Sequence, residues 1–192
     1  MTDGDRLPEL TSDEMTEAQR QVIAEIASGP RGVAVGPFVP LSRSPELMRR
    51  VQRTGEYLRF DSPLDRRLFE LCVLMVARFW DQQFEWGYHL PLALRAGLAQ
   101  DAADAVAQGR RPDGMDQGAR AVWELVTELL ETHAVSDDVY ERAVMELGEI
   151  GVIDLVATAG YYATLAMVMN TACTPPADGP RLPLRQSTEE SS

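Results

Sequence analysis

Two serine–proline pairs, Ser44-Pro45 and Ser62-Pro63, constrain the fold of this chain most directly. Serine is favoured at the N-cap of a helix. Proline is favoured at the first helical position, where its missing N–H has no intrahelical partner to lose. The pairs therefore predict helices over residues 45–58 and 63–79. No segment of the sequence alternates apolar and polar residues as a half-buried strand does, and no hairpin turn signal is present. We therefore predict an all-α protein.

Further helices follow from other capping and stop signals. Thr11 and Glu14 have the spacing of a capping box, which predicts a first helix that ends near Ser28. An extended loop is predicted over residues 29–40. The remaining helices are predicted at 82–96, 100–108, 115–133, 137–148 and 150–171. We expect Pro91 to bend the helix that contains it.

The predicted helices fill one domain, residues 1–174, which we describe as a bundle of about six to eight helices. Residues 175–192 are rich in proline and polar side chains and are expected to form a loose tail.

Charge and composition exclude several classes of protein. The chain has 192 residues and a formal net charge of −12, with no basic run longer than a pair. Phosphate binding requires clustered positive charge, so we expect no nucleic-acid partner. The N-terminus is acidic and polar, unlike a signal peptide, and the longest apolar run is shorter than a membrane span. The two cysteines form no CxxC pair and are interpreted as reduced thiols. These features predict a cytoplasmic protein with no membrane partner.

The segment ELCVLMVARFWDQQFEWGYH, residues 70–89, places polar groups in an apolar context. Glu70 lies in a predicted helix that is apolar nearly all round, and a buried acid must find a partner or become protonated. Two interpretations stay open. Glu70 either forms a surface pair with Arg66 or Arg67, or lines a buried reaction site.

Gln82, Glu85 and His89 share one stripe of the next predicted helix. A carboxylate four residues before an imidazole can accept its N–H, fix its tautomer and raise its pKa. These are requirements for a proton shuttle near neutral pH. The alternative is an ordinary Glu–His pair on a helix surface.

Two other polar residues, His133 and Asp154, lie in apolar surroundings. His133 ends a predicted helix, where a histidine interacts favourably with the helix dipole. Asp154 is interpreted as satisfied core polarity, with a contact to His133 as the alternative. With two histidines, no CxxC and no Glu-x-x-His pair in the sequence, we predict no metal site.

Glu70, eleven residues, Gln82, two residues, Glu85, three residues and His89 form a recognisable spacing. It resembles that of the carboxymuconolactone decarboxylase and alkyl hydroperoxidase D superfamily. Redox members of this superfamily carry a glutamate, eleven residues, Cys-x-x-Cys, three residues and a histidine. Gln82 and Glu85 stand at the two cysteine positions, so the chain is similar to the cysteine-free branch. The segments at 36–60 and 89–98 resemble that branch as well.

The resemblance implies an alkyl hydroperoxidase D-like helical bundle that assembles as a homotrimer or homohexamer. Thiol peroxidase activity is not expected, because it needs an attacking thiolate and a resolving thiol. The decarboxylase branch implies a lyase or isomerase that needs no cofactor and acts on a small carboxylated or enolisable molecule.

Under this resemblance, each polar residue receives a role. His89 is the proton donor or shuttle, Glu85 orients it, and Glu70 is a second acid or base with a pKa raised by burial. A guanidinium matches a substrate carboxylate. The predicted substrate-binding residues are Arg78, Gln82, Arg43, Phe38 and Trp86. Two alternatives remain: a non-catalytic oligomeric protein that binds a small molecule, and a redox protein that uses Cys72 or Cys173.

Overall fold

The computed structural model describes residues 4–184, and all regular elements among them are helical. A π-helical turn, Tyr57–Asp61, directly follows the third helix. The α-helices in chain order are α1 (Glu17–Ser28), α2 (Phe38–Leu41), α3 (Pro45–Glu56), α4 (Arg66–Phe79), α5 (Gln83–Arg95), α6 (Gln100–Ala107), α7 (Gln117–Thr132) and α8 (Asp137–Ala172). The all-α prediction is confirmed, whereas the domain boundary at residue 174 stays a prediction.

The first helix begins later than its capping signal predicted. Thr16 is the N-cap of α1, and it forms a reciprocal capping box with Gln19. Thr11 and Glu14 also bond to each other, with the Thr11 N–H 2.9 Å from a Glu14 carboxylate oxygen, but they only close a turn. The prediction was wrong because a second threonine, at position 16, has the same capping geometry and directly precedes the apolar face.

The two serine–proline pairs behave differently. α3 begins at Pro45 as predicted. α4 begins at Arg66, because the Asp65 carboxylate accepts hydrogen bonds from the first backbone N–H groups of the helix. The predicted N-cap, Ser62, instead donates its hydroxyl to Asp154, 2.6 Å away. It is therefore part of the packing between the π-helical turn and α8.

The predicted break between the last two helices corresponds to a kink. α8 runs continuously from Asp137 to Ala172, but Gly148 has φ 69° and ψ 167°, which are not helical. Glycine populates positive φ without a steric penalty, so the chain changes direction there at low cost. α5 continues through Pro91.

The centre of the bundle is α4. It packs against α5, α6, α7 and α8, and every residue from Leu68 to Arg78 is buried. A helix that is apolar all round is expected to be surrounded on all sides. Burying each large apolar side chain here contributes about 1.5–3 kcal/mol. Glu70 is carried into the core with them.

α8 is long and apolar enough, by length and composition alone, to cross a membrane. Half of its most apolar window is buried within the protein, where the helix packs against α4 and α7. The core helix of a soluble bundle has the same length and composition, so this feature is weak evidence for a membrane location.

Part of the C-terminal segment is packed rather than loose. Leu182 is 3% exposed, and its backbone N–H and carbonyl both bond to the side-chain amide of Gln83. The Pro183 carbonyl accepts a hydrogen bond from Arg78 at 2.7 Å. The loose-tail prediction is wrong for this part, and residues 185–192 lie outside the described residues.

Candidate active site

The structure brings Glu70 and His89 into direct contact. Antiparallel helices α4 and α5 carry them, and the tight turn between the helices contains Asp81 at φ 50°. The Nδ1 atom of His89 lies 2.7 Å from a Glu70 carboxylate oxygen. Glu70 is 0% exposed and His89 is 5% exposed. A carboxylate only accepts hydrogen bonds, so Nδ1 carries the proton and Nε2 keeps its lone pair.

Arg66 contacts the other oxygen of the Glu70 carboxylate. It lies one helical turn earlier and forms an ion pair of 2.5 Å, without the alignment of a hydrogen bond. The same guanidinium donates to the Arg59 carbonyl at 2.8 Å and lies 4.7 Å from the centre of the Phe69 ring. Glu70 therefore pairs with Arg66, but in a buried position beside His89 and not at the surface.

His89 is held in its neutral form. Burial lowers its pKa below the usual 6.5, and this effect outweighs the Glu70 carboxylate, which raises it. A raised pKa for His89 was predicted from the sequence because the prediction considered a nearby carboxylate and left out the burial of the imidazole. A neutral imidazole whose Nδ1–H is held by a carboxylate is a general base at Nε2.

Glu85 does not orient His89; that position is taken by Glu70. Glu85 is 2% exposed, and within residues 4–184 neither of its carboxyl oxygens has a hydrogen-bond partner. Burial raises its pKa well above the usual 4.5. A carboxyl group in such a site is protonated near neutral pH and can donate a proton.

His89 and Glu85 line the same small cavity of about 30 Å³. The helix spacing of four residues places their side chains on one face of α5. Opposite them lie the loop at residues 31–37 and the start of α2. The lining residues are Arg31, Val33, Val35, Pro37, Phe38, Arg59, Phe84, Glu85, Tyr88, His89, Tyr162 and Leu165. The cavity therefore combines a base, an acid and two arginines with an apolar and aromatic wall.

Of the predicted substrate-binding residues, only Phe38 lines this cavity. Arg78 donates to the carbonyls of Ala107 and Pro183 and lines a different cavity. It attaches the C-terminal segment to the bundle and cannot bind a molecule at His89. The prediction for Arg78 was wrong because its side chain extends from α4 toward α6.

The other three predicted binding residues also have structural contacts. Gln82 is the N-cap of α5, and its side-chain amide donates to Asn170 at 2.7 Å. Arg43 donates to the Pro8 carbonyl at 2.6 Å. Trp86 is 2% exposed within the apolar core. Each of these side chains is occupied away from the cavity.

Arg31 and Arg59 line the cavity and were not predicted from the sequence. Arg31 lies in the loop before α2, and Arg59 lies in the π-helical turn. Neither segment has a hydrophobic period from which the direction of a side chain can be deduced. Their convergence on His89 is a property of the tertiary structure.

The polar residues outside the cavity have ordinary structural roles. Asp154 accepts hydrogen bonds from the hydroxyls of Tyr57 and Ser62, so it is satisfied core polarity and not a partner of His133. His133 ends α7 in the left-handed region at φ 63°. Burial raises the pKa of the Cys72 thiol far above its usual value, so Cys72 is not a reactive thiolate.

Among residues 4–184, no group of three or more His, Cys, Asp or Glu side chains is arranged to hold a metal ion.

Comparison with known structures identifies the fold. An uncharacterised peroxidase-related protein with an alkylhydroperoxidase AhpD core, from Ralstonia eutropha, has a TM-score of 0.73 and 18% identity over 90% of this chain and 92% of its own. A protein of unknown function from Agrobacterium tumefaciens, described as a candidate antioxidant defence protein AhpD, has a TM-score of 0.64 and 16% identity over 71% of this chain and 94% of its own.

The debrominase Bmp8 in its apo form has a TM-score of 0.70 and 10% identity over 92% of this chain and 95% of its own. The same debrominase was also solved as a cysteine-to-alanine variant in complex with 2,3,4-tribromopyrrole. At these identities the likeness establishes the fold alone. A comparison with curated proteins found no match.

A family model matches the part of the chain that carries the site. The model is that of the carboxymuconolactone decarboxylase family, and it matches residues 45–128. This range contains α4 and α5, with Glu70, Glu85 and His89. The resemblance noted in the sequence is therefore confirmed: residues 45–128 match the model of the carboxymuconolactone decarboxylase family, and the chain has an AhpD-like helical fold.

Proposed function

We propose that this protein is an acid–base enzyme of the lyase or isomerase type that needs no cofactor and moves a proton on a small carboxylated or enolisable molecule. One observation carries the proposal. A neutral imidazole and a carboxyl group with a raised pKa line one cavity from one helix face. Groups whose environments separate their pKa values in this way are suited to act as a base and an acid at the same pH.

The base in this proposal is Nε2 of His89. It removes a proton from a substrate carbon next to a carbonyl group, and the C–H electron pair forms an enolate. The imidazolium that results is stabilised by the Glu70 carboxylate, 2.7 Å from Nδ1. Arg66 holds Glu70 in place. Glu70 is therefore a positioning residue and not a second acid.

The acid is Glu85. Its O–H donates a proton to the enolate, either on oxygen or on a more distant carbon, and leaves a carboxylate. The imidazolium of His89 then loses its proton to solvent and the Glu85 carboxylate takes one from solvent, which restores both groups. If a substrate instead loses carbon dioxide, the C–C electron pair forms the dienolate and Glu85 protonates carbon. Each positioned acid or base typically contributes a factor of about 10²–10⁴ to the rate.

Thiol peroxidase chemistry has no support from the described thiols. Cys72 is fully buried, with a pKa raised by desolvation. Cys173 caps the C-terminus of α8, and residues 82 and 85 carry no thiol. The complex of the debrominase with 2,3,4-tribromopyrrole is consistent with a small ring compound in a fold of this kind. The remaining alternative is a binding protein that performs no reaction.

The test is proton exchange on a defined panel of compounds in D₂O, followed by NMR. The panel contains small unsaturated cyclic monocarboxylates and carboxylated lactones, each with a ¹³C-labelled carboxyl group, and cyclohexenone as a neutral enolisable ketone. We expect carbon-bound deuterium to appear with the wild type, and His89→Ala and Glu85→Gln each to slow it by at least about 100-fold. Glu141→Gln, an exposed carboxylate on α8, is the matched control. Exchange that His89→Ala retains, or no reaction on any panel member, would contradict the proposal.

We also propose that the predicted homo-oligomer uses the exposed face of α8. Ile150 and Ile153 are each 66% exposed, and Met167 is 44% exposed. With Ala157 and Gly160 they recur at intervals of three, four and seven residues, which places them on one face of the helix, the spacing by which one helix packs on another. Light scattering during size-exclusion chromatography should give a multiple of 21.3 kDa for the wild type and a smaller species for Ile153→Glu. An unchanged mass would place the interface elsewhere.

A further inference from the structure

Two cationic side chains in the cavity have buried N–H groups without an acceptor. The Nε–H groups of both Arg31 and Arg59 are buried, and no acceptor for them lies within residues 4–184. Neither guanidinium forms an ion pair with a carboxylate of the described chain, in contrast to Arg66 next to them. Buried donors are normally satisfied, and an orphaned charged donor in a cavity indicates a missing partner.

Aromatic rings pack against these two guanidinium groups. The Arg31 guanidinium carbon lies 4.7 Å from the centre of the Phe38 ring. The Arg59 guanidinium carbon lies 5.4 Å from the centre of the Tyr88 ring, and one of its terminal nitrogens is 3.5 Å from the Tyr88 hydroxyl. Cation–π contacts use the face of a guanidinium and leave its edge, with its N–H groups, free to bind an anion.

The arrangement makes the cavity a site for an anion. Arg31 and Arg59 bring two permanent positive charges, and the carboxylate of Glu70 is already occupied by Arg66 and His89. We propose that Arg31 and Arg59 together bind the carboxylate of the substrate, and that the substrate is a small, flat monocarboxylate. This inference rests on the proposed function of the same site and adds the substrate class and the residues that recognise it.

The aromatic wall of the cavity supports a flat molecule. The rings of Phe84 and Tyr88 stack on one another, at 12° and 6.0 Å between centres, and both line the cavity, where they offer aromatic surface to a bound ring. The present volume of about 30 Å³ has room for only about two water molecules. A ring compound therefore enters only if part of the wall moves. Arg31 lies in the loop before α2, which is a part of the wall outside the regular helices.

The arginine pair also restricts the reaction. A carboxylate held by two guanidinium groups is stabilised in its charged form, whereas loss of carbon dioxide moves its electron pair to carbon and removes that charge. Interactions that favour the ground state more than the transition state slow a reaction. We therefore expect the bound carboxylate to be retained while a proton is moved on a neighbouring carbon. Any monocarboxylate that releases its labelled carboxyl group as carbon dioxide would overturn this part of the inference.

Direct binding of three probes tests the arginine pair without a need for turnover. Isothermal titration calorimetry with the full chain compares benzoate, its neutral isostere benzamide and inorganic phosphate. We expect benzoate to bind at least about tenfold more tightly than either of the other two, because only benzoate combines a flat ring with a carboxylate. Equal binding of benzamide, tighter binding of phosphate, or no binding of benzoate would each overturn the inference.

Variants assign the binding to the two residues. Arg31→Gln and Arg59→Gln should each weaken benzoate binding by about tenfold or more, and Arg53→Gln, an exposed arginine on α3, should not change it. Arg59→Lys keeps the charge without the planar fork and should give an intermediate affinity. This variant provides the test if Arg59→Gln does not fold. Unchanged affinity in the Arg31 and Arg59 variants would refute the pair.

The two proposals fail in different experiments. His89→Ala should lose proton exchange but still bind benzoate, because Nε2 is not part of the anion site. If this variant keeps exchange activity while the arginine variants lose benzoate, the acid–base proposal fails and the anion site stands. If the arginine variants bind benzoate normally while His89→Ala is inactive, the anion site fails and the acid–base proposal stands.

Discussion

Replacing Glu85 with glutamine should stabilise the protein, by an amount that grows with pH. In the folded protein, burial raises the pKa of Glu85 well above 4.5, its usual value in an unfolded chain. Below pH 4.5, Glu85 is protonated in both the folded and the unfolded state. Its neutral carboxyl group then affects the free energy of unfolding much as the glutamine amide does. Above this pH the unfolded chain loses the proton while the folded protein keeps it. The contribution of Glu85 to the free energy of unfolding of the wild type therefore falls as the pH rises.

The size of this effect follows from the linkage between protonation and folding. One proton bound by the folded state and released by the unfolded state lowers the free energy of unfolding by about 1.4 kcal/mol per pH unit. The difference between Glu85→Gln and the wild type should grow by this amount for each unit between pH 4.5 and the pKa in the folded protein. His89 has the opposite effect, because its lowered pKa favours the folded state as the pH rises through 6.5. It titrates in both proteins and therefore cancels in the difference.

Urea unfolding followed by circular dichroism measures this difference at fixed protein concentration, at about pH 5, 6 and 7. Glu141→Gln, which removes an exposed carboxylate from α8, serves as the matched control for the same change of side chain. A constant difference for Glu85→Gln would refute the reasoning. It would mean that Glu85 is already ionised in the folded protein, and the assignment of Glu85 as the proton donor would fail with it.

Three further predictions concern the same part of the molecule. Glu70→Gln removes the anion that raises the pKa of His89. The acid limb of the pH–rate profile should therefore move to lower pH, and the maximal rate should fall. An acid limb that does not move would contradict the contact between Glu70 and His89. Gly36→Ala should cost about 1–3 kcal/mol of stability beyond Gly114→Ala in thermal unfolding. Both glycines have positive φ, but of the two only Gly36 would place a Cβ 2.2 Å from an aromatic ring. Equal costs would show that the ring can move aside. Cys72 should not react with a thiol reagent until the protein is unfolded, because it is buried with a raised pKa; rapid labelling of a Cys173→Ser variant in the folded state would contradict this.

Capping and stop signals in the sequence predicted helix ends correctly where only one candidate signal was present. Ser44-Pro45 sets the start of α3, and Gly148 marks the break within α8. The start of α1 was missed because two threonines have capping-box spacing, and only packing of the apolar face decides which one begins the helix. Ser62 was missed as a core contact because its partner, Asp154, is remote in sequence.

The resemblance assigned Glu70 and His89 to one active site, but it did not predict which glutamate contacts the imidazole. Spacing within α5 suggested that Glu85 holds the imidazole, since residues four apart are neighbours on a helix. The rotation of α5 against α4 turns Nδ1 toward Glu70 instead. This rotation depends on packing along both helices, which a local spacing does not encode. The same limit applies to Arg31 and Arg59, which meet only in the folded chain.

The exchange of roles between the two glutamates has one physical cause. Glu70 and Glu85 are both almost fully buried, so burial alone does not distinguish them. Glu70 has the guanidinium of Arg66 and the imidazole N–H of His89 beside its oxygens. Glu85 has neither among the described residues, and desolvation favours its protonated form. Two identical side chains on either side of one histidine thus become an orienting anion and a proton donor. The position of Arg66 on α4, one turn before Glu70, decides which is which.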